Sequence, residues 1–235
     1  ATDLVVLPET FTSGFSNEAI DRAEGMGGPT VAWIREQARA LDAAVTGSVQ
    51  LRTEQGVFNR LLWATPDGAL VHYDKRHLFR YAGEHKRYAP GRERLTVEWK
   101  GWRINPQVCY DLRFPVFCRN RYGVERPEGL DFDLQVFVAN WPAPRAHAWK
   151  TLARARAIEN LCYVAAVNRV GRDGNGLAYD GDSAVVDFLG HAQVEAHGSE
   201  QVLTTTLSAP ALAAHREHFP AMLDADPFEL RDPAR

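Results

Sequence analysis

The sequence predicts an α/β layered domain, either one mixed sheet or a two-sheet sandwich with helices outside. Short apolar runs of strand length recur along the chain. Some are joined by stretches with helical spacing and others by tight turns, and that mixture calls for both parallel and antiparallel neighbours. With 235 residues, 45% hydrophobic and 24% charged, the chain has the composition of an ordinary soluble protein, so one core and a single domain over 1–235 are expected.

The elements follow in order. Asp3-Leu-Val-Val-Leu7 is an apolar run ended by Pro8, a buried strand that delivers Glu9 at its carboxyl end. Pro29 suits the first turn of a helix reaching about Ala44, with Val31, Ile34, Ala38 and Leu41 at helical spacing. Val45 to Leu51 is the next strand, and FNRLLWA and ALVHY form a hairpin about Thr-Pro-Asp-Gly, leading into Asp74-Lys75-Arg76-His77. Leu95 to Trp99 and Trp102 to Val108 pair about Lys100-Gly101 and present Cys109.

A short helix near Pro115 to Arg121 and a surface loop, GVERPEGLDFD, precede the strand Leu134 to Val138. Pro144 to Asn160 reads as a helix and Cys162 to Val167 as a buried strand. Ser183 to Asp187, Ala192 to Ala196 and Val202 to Leu207 read as strands, and a helix follows from about Ala209 through His218. Gly174-Asn-Gly176 is a turn signal, too weak for a nucleotide loop.

A net charge of -3 offers no basic footprint for a nucleic acid. No apolar run approaches the roughly 18 residues of a membrane helix, and ATDLVVLPET lacks the pattern of a signal peptide, so a cytoplasmic protein is expected. Cys109, Cys118 and Cys162 form neither a CxxC pair nor an even set, which predicts reduced thiols. His77, His85 and His147 have no spacing suited to zinc, and no metal is expected.

Three strand ends each present a reactive group: Glu9, Lys75 and Cys109. Groups beyond the carboxyl ends of strands can converge although distant in sequence. The trio is chemically coherent, because a thiol is only slightly ionised at neutral pH and needs a cation or a base beside it. Lys75 and the backbone N–H of Tyr110 would meet an oxyanion, while Glu9 would take the thiol proton, pass it to departing ammonia and then activate water. Glu84 is a second carboxylate that would keep Lys75 charged and fix the substrate nitrogen or water. Taken singly, Glu9 also fits a helix cap, Lys75 a solvated charge, and Glu84 a surface partner of Arg87.

Read together, LVVLPETFTSGF, YDKRHLFR and INPQVCYDLRFP resemble the three signature segments of the nitrilase superfamily, and the likeness continues through VANWPAPRAHAWKTLARARAIENLCYVAAVNRVGRDGNG and YDGDSAVVDFLG. The combination ETFTSGF, KRHLFR and NWPAPR looks most like the bacterial omega-amidase branch, whose members hydrolyse the terminal amide of 2-oxoglutaramate or 2-oxosuccinamate. The resemblance implies a four-layer α-β-β-α sandwich, release of an acid and ammonia, and no cofactor. Family members carry a further strand and helix ahead of the glutamate segment, so the expected sandwich lacks its first strand and helix. By position Glu9, Lys75 and Cys109 match the family's catalytic triad and Glu84 its additional glutamate.

An omega-amidase must recognise a distal carboxylate, and a guanidinium fork suits it; Arg145 is the leading candidate. Arg113 could do likewise, but in CYDLRFP it is expected rather to make a structural ion pair near Asp111 or the sheet edge. Trp141 and Phe79 are expected to wall the pocket, or else to be ordinary core aromatics. A sister amidase acting on N-carbamoyl compounds or deaminated glutathione, and an inactive scaffold of the same fold, remain the alternatives; no Cys-His-Asn protease pattern is recognisable. The expected partner is a small amide, with a homodimer as the expected assembly.

Overall fold

In the computed structural model, which describes residues 2–16 and 19–231, two sheets face each other across one core. In the first, β1 (Leu4–Val6) runs parallel to β2 (Ala44–Thr53), and the connection between them carries α1 (Pro29–Leu41). β3 (Gly56–Ala64) and β4 (Leu70–Asp74) continue as antiparallel neighbours, giving the order β1-β2-β3-β4. The second sheet begins with the hairpin of β5 (Val97–Trp99) and β6 (Trp102–Val108). After α2 (Pro115–Cys118) come β7 (Leu134–Ala139), α3 (Ala146–Asn160) and β8 (Tyr163–Asn168), with β6, β7 and β8 parallel. β9 (Val170–Arg172) and β10 (Ala178–Asp180) form a separate hairpin, and β11 (Ala184–Val186) and β12 (Ala192–Glu195) complete the order β12-β11-β8-β7-β6-β5. The helix α4 (Ala209–His218) follows.

Residue periodicity explains the layering. Along β3, Leu61 and Trp63 point into the core between the sheets, while Leu62 and Ala64 pack on Val31, Ile34 and Ala38 of α1. α1 opens on Pro29, whose missing N–H costs nothing there, and closes on Asp42 in the left-handed region at φ 50°. On the far side, Trp149, Ala153 and Ala157 recur every four residues along α3 and are buried in the core cluster of the second sheet. The layers are therefore α1, sheet, sheet, α3, the α-β-β-α sandwich that the resemblance implied.

Several local expectations need correction. Residues 202–207 form no strand: Val202 is 92% exposed, and β-branched residues without a neighbouring strand have nothing to pair with. The turn expected at Gly174-Asn-Gly176 is present, by contrast, as the tip of the β9–β10 hairpin. The helix at Pro115 is a single turn ending at Cys118, and the next helix starts at Ala146 after one 3-10 turn over Ala143–Arg145. The loop of 123–133 is not wholly superficial, because Leu130, Asp131 and Phe132 are buried, with Asp131 accepting the Nε–H of Arg121 at 2.8 Å.

Candidate active site

The turn after β1 is tied down by its neighbours: the Thr10 N–H donates to Ser48 Oγ at 2.9 Å, and Asn140 Nδ2 donates to the Glu9 carbonyl at 2.7 Å. Lys75 follows β4 directly, its backbone N–H bonded to the Asn59 carbonyl at 2.9 Å as one more rung of the ladder. Cys109 follows β6 directly at φ 45°, a left-handed conformation that costs a non-glycine residue on the order of 1–3 kcal/mol and persists where surroundings hold it. Asp111 does the holding. Its Oδ2 accepts the Val108 N–H at 3.1 Å and the Tyr73 hydroxyl at 2.8 Å; its Oδ1 accepts the His77 N–H at 2.9 Å and lies 2.8 Å from His77 Nδ1. A single buried carboxylate thus joins the strand end before the thiol to residues on either side of Lys75.

The three reactive groups converge. Lys75 Nζ donates to Glu9 Oε1 at 2.9 Å and lies 3.0 and 3.1 Å from the two oxygens of Glu84. Cys109 lines the same cavity as Glu9 and Lys75, and the charges of both act on its thiol. Glu9 Oε1 also accepts Asn59 Nδ2 at 2.8 Å, and Oε2 accepts the Asn140 N–H at 2.8 Å. Glu9, Lys75 and Glu84 are each at most 1% exposed, so these are charges held in the interior by one another and by fixed donors. The helix-cap, solvated and surface-pair readings of Glu9, Lys75 and Glu84 do not describe what these side chains touch.

Burial alone would depress the Lys75 ammonium, but the charges of Glu84 and Glu9 outweigh it and hold the group well above the usual lysine range. Burial pushes the Glu84 carboxyl up, against the pull of Lys75 and with the help of Glu9. The Cys109 thiol is pushed well above its ordinary range, first by burial and then by the charge of Glu9, with only Lys75 opposing. The sulfur therefore rests as a thiol at neutral pH, and its use as a nucleophile requires a base to take the proton as the attack proceeds. Glu9 is the glutamate that lines the cavity with Cys109.

A cavity of about 320 Å³ opens onto this cluster and is lined by Glu9, Lys75 and Cys109, with Tyr110, Trp141 and Arg145 among its walls. The Arg145 guanidinium lies 5.3 Å from the Phe79 ring centroid and 5.7 Å from that of Tyr81. Trp141 is both wall and core: it is 4% exposed, and its indole N–H donates to the Arg145 carbonyl at 2.9 Å. Phe79 and Tyr110 pack edge to face at 5.0 Å. Glu84 does not line the cavity; it holds Lys75 and accepts the Phe79 N–H at 2.5 Å. Arg113 is a correction: Asp111 is occupied by Tyr73, His77 and Val108, and the Arg113 guanidinium lies instead on the cavity wall, 4.7 Å from the Trp141 ring centroid. Sequence reasoning missed Asn59, Asn140 and Asp111; the only signal was a polar residue inside or just after an apolar strand, which when buried demands partners. Among the described residues no group of three His, Cys, Asp or Glu side chains is disposed to hold a metal ion.

Known proteins share this arrangement of chain. The carbon-nitrogen hydrolase family profile matches residues 1–217. The omega-amidase YafV of Yersinia enterocolitica is 51% identical over 97% of this chain and 86% of its own length, and that of Escherichia coli 50% identical over the same shares. A 2-oxoglutaramate amidase of Bacillus subtilis is 32% identical over 94% of this chain and 84% of its own. Among solved structures, a CN-hydrolase superfamily protein from Xanthomonas campestris with an arsenic adduct in its active site is 78% identical, covering 98% of this chain and 87% of that one with a TM-score of 0.97.

Proposed function

The chain belongs to the carbon-nitrogen hydrolase family, and on that footing we propose that it hydrolyses the terminal amide of a small omega-amido 2-oxo acid, 2-oxoglutaramate or 2-oxosuccinamate, to the dicarboxylate and ammonia. The observation that carries the reading is that Cys109, Glu9 and Lys75 line one cavity whose wall also holds the Arg145 guanidinium beside the Phe79 and Tyr81 rings.

In this reading Cys109 Sγ attacks the amide carbon while its proton passes to Glu9. The tetrahedral oxyanion is met by the Lys75 ammonium and by the Tyr110 N–H, which stands at the start of a 3-10 turn where no intrahelical acceptor uses it. Glu9 returns the proton to the amide nitrogen, the C–N bond breaks, ammonia leaves and a thioester remains. Glu9, again a carboxylate, takes a proton from water; hydroxide adds to the thioester, and collapse releases the carboxylic acid and restores the thiol. Arg145 would grip the distal carboxylate, and Trp141 and Phe79 would confine the carbon chain.

A coupled ammonia assay over a panel of amides tests the reading. Release is expected from 2-oxoglutaramate and none from nitriles or carbamoyl amino acids, and Cys109→Ala is expected to abolish turnover with the fold kept. The reverse substrate pattern, or an active Cys109→Ala protein, would overturn it.

A further inference from the structure

One residue of β3 touches both carboxylates of the site and the backbone of the lysine between them. Asn59 Nδ2 donates to Glu9 Oε1 at 2.8 Å and lies 3.4 Å from Glu84 Oε1, and the Asn59 carbonyl accepts the Lys75 N–H at 2.9 Å. Asn59 is 1% exposed and absent from the cavity wall, so it meets these groups from behind, on the side away from a substrate. Among the described residues the buried Asn59 Oδ1 has no hydrogen-bond partner. Leaving a buried acceptor unmade is costly, on the order of 1–3 kcal/mol, and the amide tolerates it while its nitrogen stays on the two carboxylates.

We propose that Asn59 is a positioning residue for amide hydrolysis, the element that sets the separation and plane of the Glu9 and Glu84 carboxylates around Lys75. Two acids sharing one ammonium repel each other, and the ammonium is a poor ruler: it sits on a flexible four-carbon stem with three rotatable donors. A primary amide has two hydrogens in a fixed plane, and the geometry presents that donor edge to both carboxylates. Glu9 is then held at Oε1 by Nζ and Nδ2 and at Oε2 by the Asn140 N–H, and a carboxylate pinned at both oxygens cannot swing away from the thiol. Because Asn59 reaches no substrate atom, its loss acts on proton transfer and not on binding.

The inference rests on the proposed roles of Glu9, Lys75 and Cys109, and the experiment separates the two. Steady-state ammonia release is measured for the full chain, for Cys109→Ala, and for Asn59→Leu and Asn59→Ser, with the thermal midpoint of each recorded. Asn59→Leu, close in volume and without donors, is expected to lower kcat by about 10- to 100-fold, the worth of a hydrogen bond to a charged group. KM is expected to stay within about threefold, the mark of an interaction outside substrate binding. Should the leucine variant fail to fold, the smaller Asn59→Ser is read for the same split. A folded variant that keeps kcat within about twofold, or that loses only in KM, overturns the proposal. An active Cys109→Ala protein removes the parent reading and this one together; an inactive Cys109→Ala beside unaffected Asn59 variants removes this one alone.

Discussion

At the sulfur of Cys109, burial and the Glu9 charge act in the same direction, and both favour the thiol over the thiolate. Substituting Glu9 by glutamine removes the second cause, so it should lower the thiol pKa while taking away the proposed base. Two measurements should therefore move oppositely in Glu9→Gln: alkylation of Cys109 by iodoacetamide, followed by mass spectrometry, becomes faster at a given pH, and turnover falls by about 10²- to 10⁴-fold. Unchanged turnover would show that Glu9 carries no proton. The reactive trio was legible in the sequence because each member stands where an apolar run stops. Asn59 was not, since a polar residue within FNRLLWA reads equally well as a solvent-facing position until the burial of both faces of β3 is known. Arg113 was misjudged for a related reason: proximity in sequence to Asp111 says nothing of the three donors, from β4 and beyond, that reach Asp111 first.

Among the elements, α4 is fastened by Leu212 in the core cluster, by His215 stacked on Phe188, and by the polar contacts of Arg216. Arg216 donates to the Leu161 and Phe132 carbonyls at 2.8 Å and to Asp133 Oδ1 at 2.6 Å, while Arg103 holds both oxygens of the same carboxylate. Burial would raise the Asp133 carboxyl, but bonds from Arg103 and the charge of Arg216 outweigh it and hold it below the usual range. A depressed folded value means the contribution is complete above the unfolded carboxylate value of about 3.9 and is lost as pH falls through the lower folded one. Arg216→Ala should cost about 2 kcal/mol in urea unfolding at neutral pH, and the deficit should shrink in acid; a deficit constant with pH would contradict it. Long apolar strands such as β2, β3, β7 and β8 could be read from sequence, as could α1 from its proline start. The strands β9 and β10, of three residues each, are too short to show a period, and 202–207 shows the converse, strand-forming residues with no partner strand.

Over the whole molecule the net charge is negative, and the acids Glu9 and Asp173 line the cavity too, yet Arg113 and Arg145 each stand on its wall beside aromatic rings, two guanidinium groups that a distal carboxylate can meet. For a 2-oxo acid amide, kcat/KM should fall as salt is raised, and Arg145→Ala should raise KM by about tenfold or more with a lesser effect on kcat; an unchanged KM would move carboxylate recognition elsewhere. The layered class was readable from the two kinds of connection, but the lateral order of the second sheet was not, because its outer strands pair across a separate hairpin. The sandwich also gives the reaction an unusual dependence. Glu9 and Lys75 hang from one sheet and Cys109 from the other, so the gap between the carboxylate of the proposed base and the sulfur is gauged by how the sheets seat together. A slip of about an ångström is enough to spoil such alignment. Ala44, Leu61 and Trp63 of one sheet share a buried cluster with Val136 and Val138 of the other, so a change of side-chain volume at these shims is expected to alter turnover without touching the substrate.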